Sequence, residues 1–160
     1  MTTLDAHASV VPFVVALRRK NTDALGFIPR ARLESYEASG QIITARENGD
    51  LCGFLVFGAT PPIFRIYQAC VQYDARRRAH GFSMVGELIR RAHAAGADAV
   101  TLGCADDLAA NEFWREAGFV FVGSRVGGRR RKRRVNRWVF YLPHPRQGRL
   151  FHCETAEVAP

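Results

Sequence analysis

Residues 64 to 104 constrain the fold more than any other part of this chain, because they read as strand, basic turn, helix and strand in that order. Phe64 to Tyr73 is β-prone and apolar. Arg76, Arg77, Arg78, Ala79, His80, Gly81, Phe82 and Ser83 follow, and then a helical stripe of Val85, Leu88, Ile89 and Ala92 that stops at Gly96. Ala99 to Cys104 is a short buried strand. A strand that returns to its own sheet through a crossover helix runs parallel, with right-handed connection, in nearly all proteins. The turn is also built for an anion. The first turn of a helix leaves four backbone N–H groups without intrahelical acceptors, and the helix dipole adds positive potential there. Three arginines stand at that turn, and Gly81 lets the backbone come close to a ligand. A pyrophosphate suits such a turn.

The flanking segments fill out the sheet. Val10, Phe13, Val14 and Leu17 recur at helical spacing, with Ser9 as a cap and Pro12 in the first turn, and this helix ends near Lys20. A loop over 23–29 leads to a short helix from Arg30 to Ser39, closed by Gly40. Gln41–Arg46 and Leu51–Phe57 form a hairpin around Asn48-Gly49, and the second strand is apolar on both faces, which makes it central. Pro61-Pro62 breaks the chain before Phe64. Further on, Asp106 or Asp107 is placed to cap a helix whose stripe is Ala110, Phe113, Trp114 and Ala117, stopped by Gly118. Phe119–Val126 and Val135–Leu142 read as two strands around an arginine-rich loop. The expected fold is therefore mixed α/β (α+β): a mixed, mostly antiparallel sheet of six to seven strands with helices on both faces. One domain spans residues 1–142, and residues 143–160 form a tail without periodicity.

Size and composition narrow the function. A chain of 160 residues suits one core. No apolar run reaches membrane-spanning length, and the first residues lack the basic-then-apolar order of a signal peptide, so a cytoplasmic protein without membrane contact is expected. Cys52, Cys70, Cys104 and Cys153 include no C-x-x-C pair, and no H-E-x-x-H occurs, which argues against disulfide scaffolds and zinc or other metal sites. The net charge of +8 is clustered at Arg76–Arg78 and at Arg129, Arg130, Arg131, Lys132, Arg133, Arg134 and Arg137. Clustering of this kind points either to contact with a polyanion such as DNA or RNA or to a solvated hairpin tip.

The element order, together with two motifs, resembles the GNAT superfamily of acyl-CoA-dependent N-acyltransferases over residues 10–142. The family's pyrophosphate loop, Q/R-x-x-G-x-G/A, is matched by Arg76-Arg77-Arg78-Ala79-His80-Gly81, with Ala79 in place of the first glycine. The second motif, an alanine and an aromatic pair ending in Gly-Phe, is matched by Ala110, Phe113, Trp114, Gly118 and Phe119. Alanine suits the first-glycine position as long as the backbone there keeps a negative φ.

The resemblance implies acetyl-CoA or a related acyl-CoA as cofactor and direct transfer of the acyl group to an acceptor amine. It implies that the N–H groups from Arg77 to Phe82 hold the pyrophosphate, with Ser83 adding a hydroxyl. It implies a fourth family strand that splays from the fifth, so that backbone near Val71 meets the pantetheine arm or thioester carbonyl. His80 then lines the cofactor, and Asn111 either binds cofactor or substrate or is a surface residue. The tyrosine that many members use as general acid is replaced by Trp114, whose indole cannot protonate a thiolate. Where a base often projects, this chain has Arg65 and Tyr67. Tyr67 is either a proton relay or a structural tyrosine. The basic loop suggests an acidic or phosphate-rich acceptor, nucleic acid or nucleic-acid-associated. Two alternatives stay open: a phage-type, Mom-like enzyme modifying DNA adenine, and a non-catalytic nucleic-acid-binding module on this scaffold.

Overall fold

The computed structural model describes residues 8–127 and 133–143. Arg129, Arg130, Arg131 and Lys132 and the tail from residue 144 lie outside the described residues. Helices α1 (Val11–Arg19) and α2 (Arg30–Ala38) precede strands β1 (Ile42–Glu47), β2 (Asp50–Thr60) and β3 (Ile63–Val71). A single 3-10 turn at Tyr73–Ala75 leads into α3 (His80–Ala94), followed by β4 (Ala99–Ala105), α4 (Ala110–Glu116), β5 (Val120–Val126) and β6 (Arg134–Tyr141). The six strands form one sheet in the order β1-β2-β3-β4-β6-β5. Among the described residues only the β3–β4 pair is parallel, as the crossover through α3 requires. No described helix is long and apolar enough to cross a membrane.

Each sheet face has its own core. On one face Leu55, Phe57, Ile66, Val100, Leu102 and Trp138 pack against Val85 and Leu88 of α3 and Trp114 of α4. On the other, Phe54 and Val56 of β2 pack against Val11, Val14 and Leu17 of α1 and Leu33 of α2. Central strand β2 faces both cores, which is why residues 52 to 58 are all buried. The loop after α1 is pinned from below: the buried Arg18 donates through Nη1 to the Ile28 carbonyl, and buried Gln68 donates through Nε2 to the Gly26 carbonyl.

Two features set the site. First, β3 and β4 pair only at Ile63–Ala99, Phe64–Val100 and Arg65–Thr101, after which the strands part. Second, β3 carries a bulge. Val56 opposes Gln68 and Phe57 opposes Ile66, so Tyr67 is the extra residue. A bulged strand bends, and its side-chain parity switches. Before the bulge Phe64 and Ile66 face α3; after it Ala69 and Val71 do, while Gln68 and Cys70 turn to the α1 side. The bend falls just where pairing with β4 stops.

The capping expectations fared unevenly. Ser9 Oγ accepts the Val11 N–H at 3.2 Å and its hydroxyl donates to Glu37, but the N-cap position of α1 is Val10, which has no side-chain bond. Neither Asp106 nor Asp107 caps α4; its N-cap is Ala109, without a side-chain bond, and Asp107 is drawn away to Arg133. Helix α3 starts at His80, several residues before its apolar stripe. On its exposed face Glu87 accepts hydrogen bonds from Arg90 (2.9 Å) and Arg91 (2.6 Å), and these hold its carboxyl down at about 2. An unfolded glutamate titrates near 4.5. The folded value is the lower one, so this contribution is complete above about pH 4.5 and is lost as pH falls towards about 2. Between those limits the melting temperature of Glu87→Gln, followed by circular dichroism, should fall less steeply than that of the wild type.

Candidate active site

Where β3 and β4 part, a cavity of about 520 Å³ opens, within the range of roughly 300–1,000 Å³ typical of small-molecule sites. Ala69, Cys70 and Val71 of β3 form one wall, and Leu108, Ala109, Phe113 and Trp114 form the other. Asn21, Ala24 and Leu25 close it from the α1 side, and its mouth is the 76–82 segment. The walls are apolar, and among the described residues the lining has no carboxylate, lysine or tyrosine.

The mouth is a row of bare amide groups. Arg76 N–H bonds back to Tyr73, and Ser83 N–H to Ala79 at 2.9 Å. Between them, the N–H groups of Arg77, Arg78, Ala79, His80, Gly81 and Phe82 have no acceptor among the described residues. Arg77 and Ala79 both sit at φ 64, left-handed backbone, and this kinked path precedes the first turn of α3. The condition for alanine at residue 79, a negative φ, is not met: the alanine stands in a conformation that glycine adopts freely and L-residues resist, at roughly 1–2 kcal/mol. Ala79→Gly should stabilise the fold by about 1 kcal/mol, raising the melting temperature by roughly 2–4 °C. A lower melting temperature would contradict the left-handed geometry.

The side chains of the loop chiefly hold its shape. Arg76 donates from Nε to the Val71 carbonyl and from Nη2 to Asn21 Oδ1, both at 3.2 Å, which ties the end of β3 to the end of α1. Arg78 bonds Glu47 Oε1 at 2.7 Å, and that bond lowers the Glu47 carboxyl below its usual range. His80 Nε2 is shut from solvent without a hydrogen-bond partner, 3.6 Å from the same Glu47 oxygen. Of the three loop arginines, Arg77 alone has no partner among the described residues. Gly81 lies against the Phe113 ring, where an added Cβ would come within 2.9 Å of it. Phe82 packs on the same ring in a tilted pair with centroids 4.9 Å apart, and Ser83 is exposed on the first turn.

Backbone polarity continues into the cleft. Gln72 N–H bonds the Cys52 carbonyl at 2.8 Å. Antiparallel pairs alternate between bonded and non-bonded. The Val71–Gly53 and Ala69–Leu55 pairs are therefore non-bonded, and the amides of Ala69 and Val71 point away from β2, into the gap beside β4. The Val71 carbonyl is taken by Arg76, which leaves the Val71 N–H on offer.

Several candidates of the sequence fall elsewhere. Tyr67 is the bulge residue; its ring packs on Tyr36 at 5.5 Å, its hydroxyl lies over Gly58, and it does not line the cavity. The Asn111 amide is committed within the fold. It donates to the carbonyls of Ala105 (2.7 Å) and Leu108 (2.8 Å), and its oxygen accepts from Trp138 Nε1 (3.0 Å) and Asn136 Nδ2 (3.1 Å). Arg133 pairs with both oxygens of Asp107 at 2.7–3.1 Å and donates to the Asp23 carbonyl, so it clamps the loop after α1 to the loop before α4. Arg134 bonds Ser124 Oγ at 2.7 Å. Arg137 is exposed and has no partner among the described residues. Trp114 is buried at the cavity wall, edge-on to Phe113 and Phe119, and burial pushes the Cys104 thiol up to about 11.

A splayed parallel pair, an amide-lined turn at a helix start and an apolar cleft between them define an acyl-CoA transferase architecture. Residues 12–119 match the acetyltransferase (GNAT) family, and the chain belongs to that family of acyltransferases. No curated protein matches the sequence. Among solved structures, the chain is similar to a ribosomal-protein-alanine N-acetyltransferase of Brucella melitensis: 21% identity, TM-score 0.69, covering 88% of this chain and 100% of that one. It is similar to the ribosomal-protein-S18-alanine N-acetyltransferase of Escherichia coli, at 14% identity and TM-score 0.67 over 88% of this chain and 91% of that one. The N-acetylglutamate synthase of Neisseria gonorrhoeae, solved with coenzyme A and N-acetyl-glutamate, matches at 18% identity and TM-score 0.70 over 88% of this chain and 35% of that one.

Proposed function

We propose that this chain transfers an acyl group, most simply acetyl, from coenzyme A to an acceptor amine without a covalent enzyme intermediate. The observation that carries this is the run of six unpartnered amides, Arg77 to Phe82, at the mouth of an apolar cleft wide enough for a pantetheine arm. The cofactor supplies an activated thioester. The chain supplies the rest. Loop amides and the α3 dipole hold the diphosphate. The Ala69 and Val71 amides face the developing oxyanion. The walls of the cleft exclude water and fix the approach of the amine; in favourable model systems such positioning is worth about 7–11 kcal/mol. With no carboxylate or tyrosine in the lining among the described residues, the amine arrives already neutral, and Tyr67 is not assigned a proton transfer. Calorimetry with acetyl-CoA and with free CoA tests this: saturable binding of both is expected, and no heat at millimolar cofactor would refute it.

The acceptor is the open part of the proposal. Arg133 and Arg134 are engaged within the fold, so an anionic acceptor cannot be argued from the whole arginine cluster. Arg137 remains. A nucleic-acid or nucleic-acid-associated amine stays the favoured acceptor because of the surface on which Arg137 stands. Nothing in the cleft favours the modification of DNA adenine over other amines.

A further inference from the structure

Over half of the sheet, one face carries no helix among the described residues, although Val139 (8% exposed) and Ala99 (4% exposed) on that face are buried. Helices α1 and α2 cover β1, β2 and the end of β3. On the same side, β4, β6 and β5 carry no helix among the described residues. Asn136 and Trp138 both turn towards α4, where they bond Asn111, so Arg137 between them projects from the opposite face. The strand partners of Arg137 are Gly103 on one side and Gly123 on the other. No side chain in its own row crowds it, and both its neighbours in sequence are locked. An unpaired, exposed guanidinium thus stands on a fixed stretch of backbone, beside Gly103 of β4.

Two more arginines share the face. Arg65 heads the row Arg65, Thr101, Val139, Val120, and Arg125 ends the row Ala105, Val135, Arg125. Arg65, Arg137 and Arg125 therefore lie on a diagonal, one row apart at each step. Strand spacing and rise put Arg65 about 12 Å from Arg137, and Arg137 about 8 Å from Arg125. None of the three has an ion-pair partner among the described residues, and these rows contain no carboxylate. Tyr141 (64% exposed) and Tyr67 (45% exposed) flank the line.

We propose that this face binds single-stranded nucleic acid, with Arg137 as its central phosphate contact. Three uncompensated charges in a line need a partner with repeated negative charge, and exposed aromatic rings beside them suit bases better than carboxylate side chains. The role of the face in presenting an acceptor amine to the cleft rests on the acyltransferase reading; binding itself does not.

The test is fluorescence anisotropy of the full chain with a labelled 20-nucleotide oligothymidylate between 50 and 300 mM salt, comparing wild type, Arg137→Gln and the triple variant Arg65→Gln/Arg125→Gln/Arg137→Gln. Each lost phosphate contact lowers the salt slope by about 0.7 for single strands. The triple variant should lose a slope of about 2 and at least 30-fold in affinity, with an unchanged melting temperature and an unchanged acetyl-CoA titration. Wild-type slope and affinity in the triple variant would overturn the proposal, as would a wild type that ignores the oligonucleotide. Equal competition by a 20-residue polyglutamate would overturn it in favour of an acidic protein partner. Oligonucleotide binding with no acetyl-CoA binding would refute the acyltransferase reading and leave this face as a binding surface.

Discussion

Gly81→Asp is expected to weaken acetyl-CoA binding at least 100-fold while the protein stays folded. Gly81 is the second residue of α3, inside the run of unpartnered amides. A carboxylate there stands about 5 Å from where a diphosphate would sit, and at an effective dielectric near 20 each unit of like charge costs about 3 kcal/mol. That is a little over 100-fold for one phosphate charge and more for two. The same substitution has opposing effects on the fold. An acidic side chain in the first helical turn stabilises by about 0.3–1 kcal/mol, and leaving glycine behind helps the helix by several tenths more. Against this, the new Cβ meets the Phe113 ring at 2.9 Å, and the ring must shift. A change in melting temperature of only a few degrees is expected. Gly81→Ala adds the same Cβ without charge and separates the two effects: it should lose less than tenfold in affinity. If calorimetry shows Gly81→Asp binding acetyl-CoA like the wild type, the 76–82 loop does not hold the cofactor.

The order of elements was legible from the sequence because it rests on local signals. The Asn48-Gly49 turn, the apolar run of β2 and the stripe of α3 each announce themselves within a dozen residues. The strand–turn–helix–strand unit then left one plausible topology. The loop's backbone was less legible. A glycine pattern shows where close approach is allowed, yet the left-handed φ of Ala79 comes from how the chain must turn between the 3-10 helix and α3. The bulge at Tyr67 is a property of two strands in register, and nothing in residues 63–71 alone marks it. Alternation keeps Tyr67 on the face of Arg65, where it is found, but cannot anticipate the switch after it that turns Ala69 and Val71 to the α3 side. The partners of Arg133 were hidden for a related reason. Arg133 finds Asp107 twenty-six residues away and Asp23 across the cleft, partners that a local charge count cannot pair. Arg137, two residues before the buried Val139 and four after Arg133, differs from Arg133 in what its neighbouring strands place beside it.

Asn111→Ala separates a structural role from a ligand contact at the one site residue where the two were hardest to tell apart. The substitution leaves the Trp138 N–H, on a residue only 3% exposed, without an acceptor, and it frees Asn136 and the Ala105 and Leu108 carbonyls. A buried polar group left unsatisfied costs about 1–3 kcal/mol, and partial repair by water at the more open partners keeps the expected total near 3 kcal/mol. For a chain of this size that is a fall in melting temperature of roughly 6–12 °C. Acetyl-CoA affinity, measured where the variant is still folded, should change less than threefold, because no wall of the cleft is lost. A residue that bound the cofactor would give the reverse pattern: a melting temperature close to wild type and an affinity loss of tenfold or more. Asn111→Asp refines the result. It keeps an oxygen for Trp138 and Asn136 but puts an acceptor against the Ala105 and Leu108 carbonyls, so it should recover part of the stability lost by alanine. Full recovery would mean that the bonds to those carbonyls contribute nothing, and that α4 is held to β6 through Trp138 and Asn136 alone.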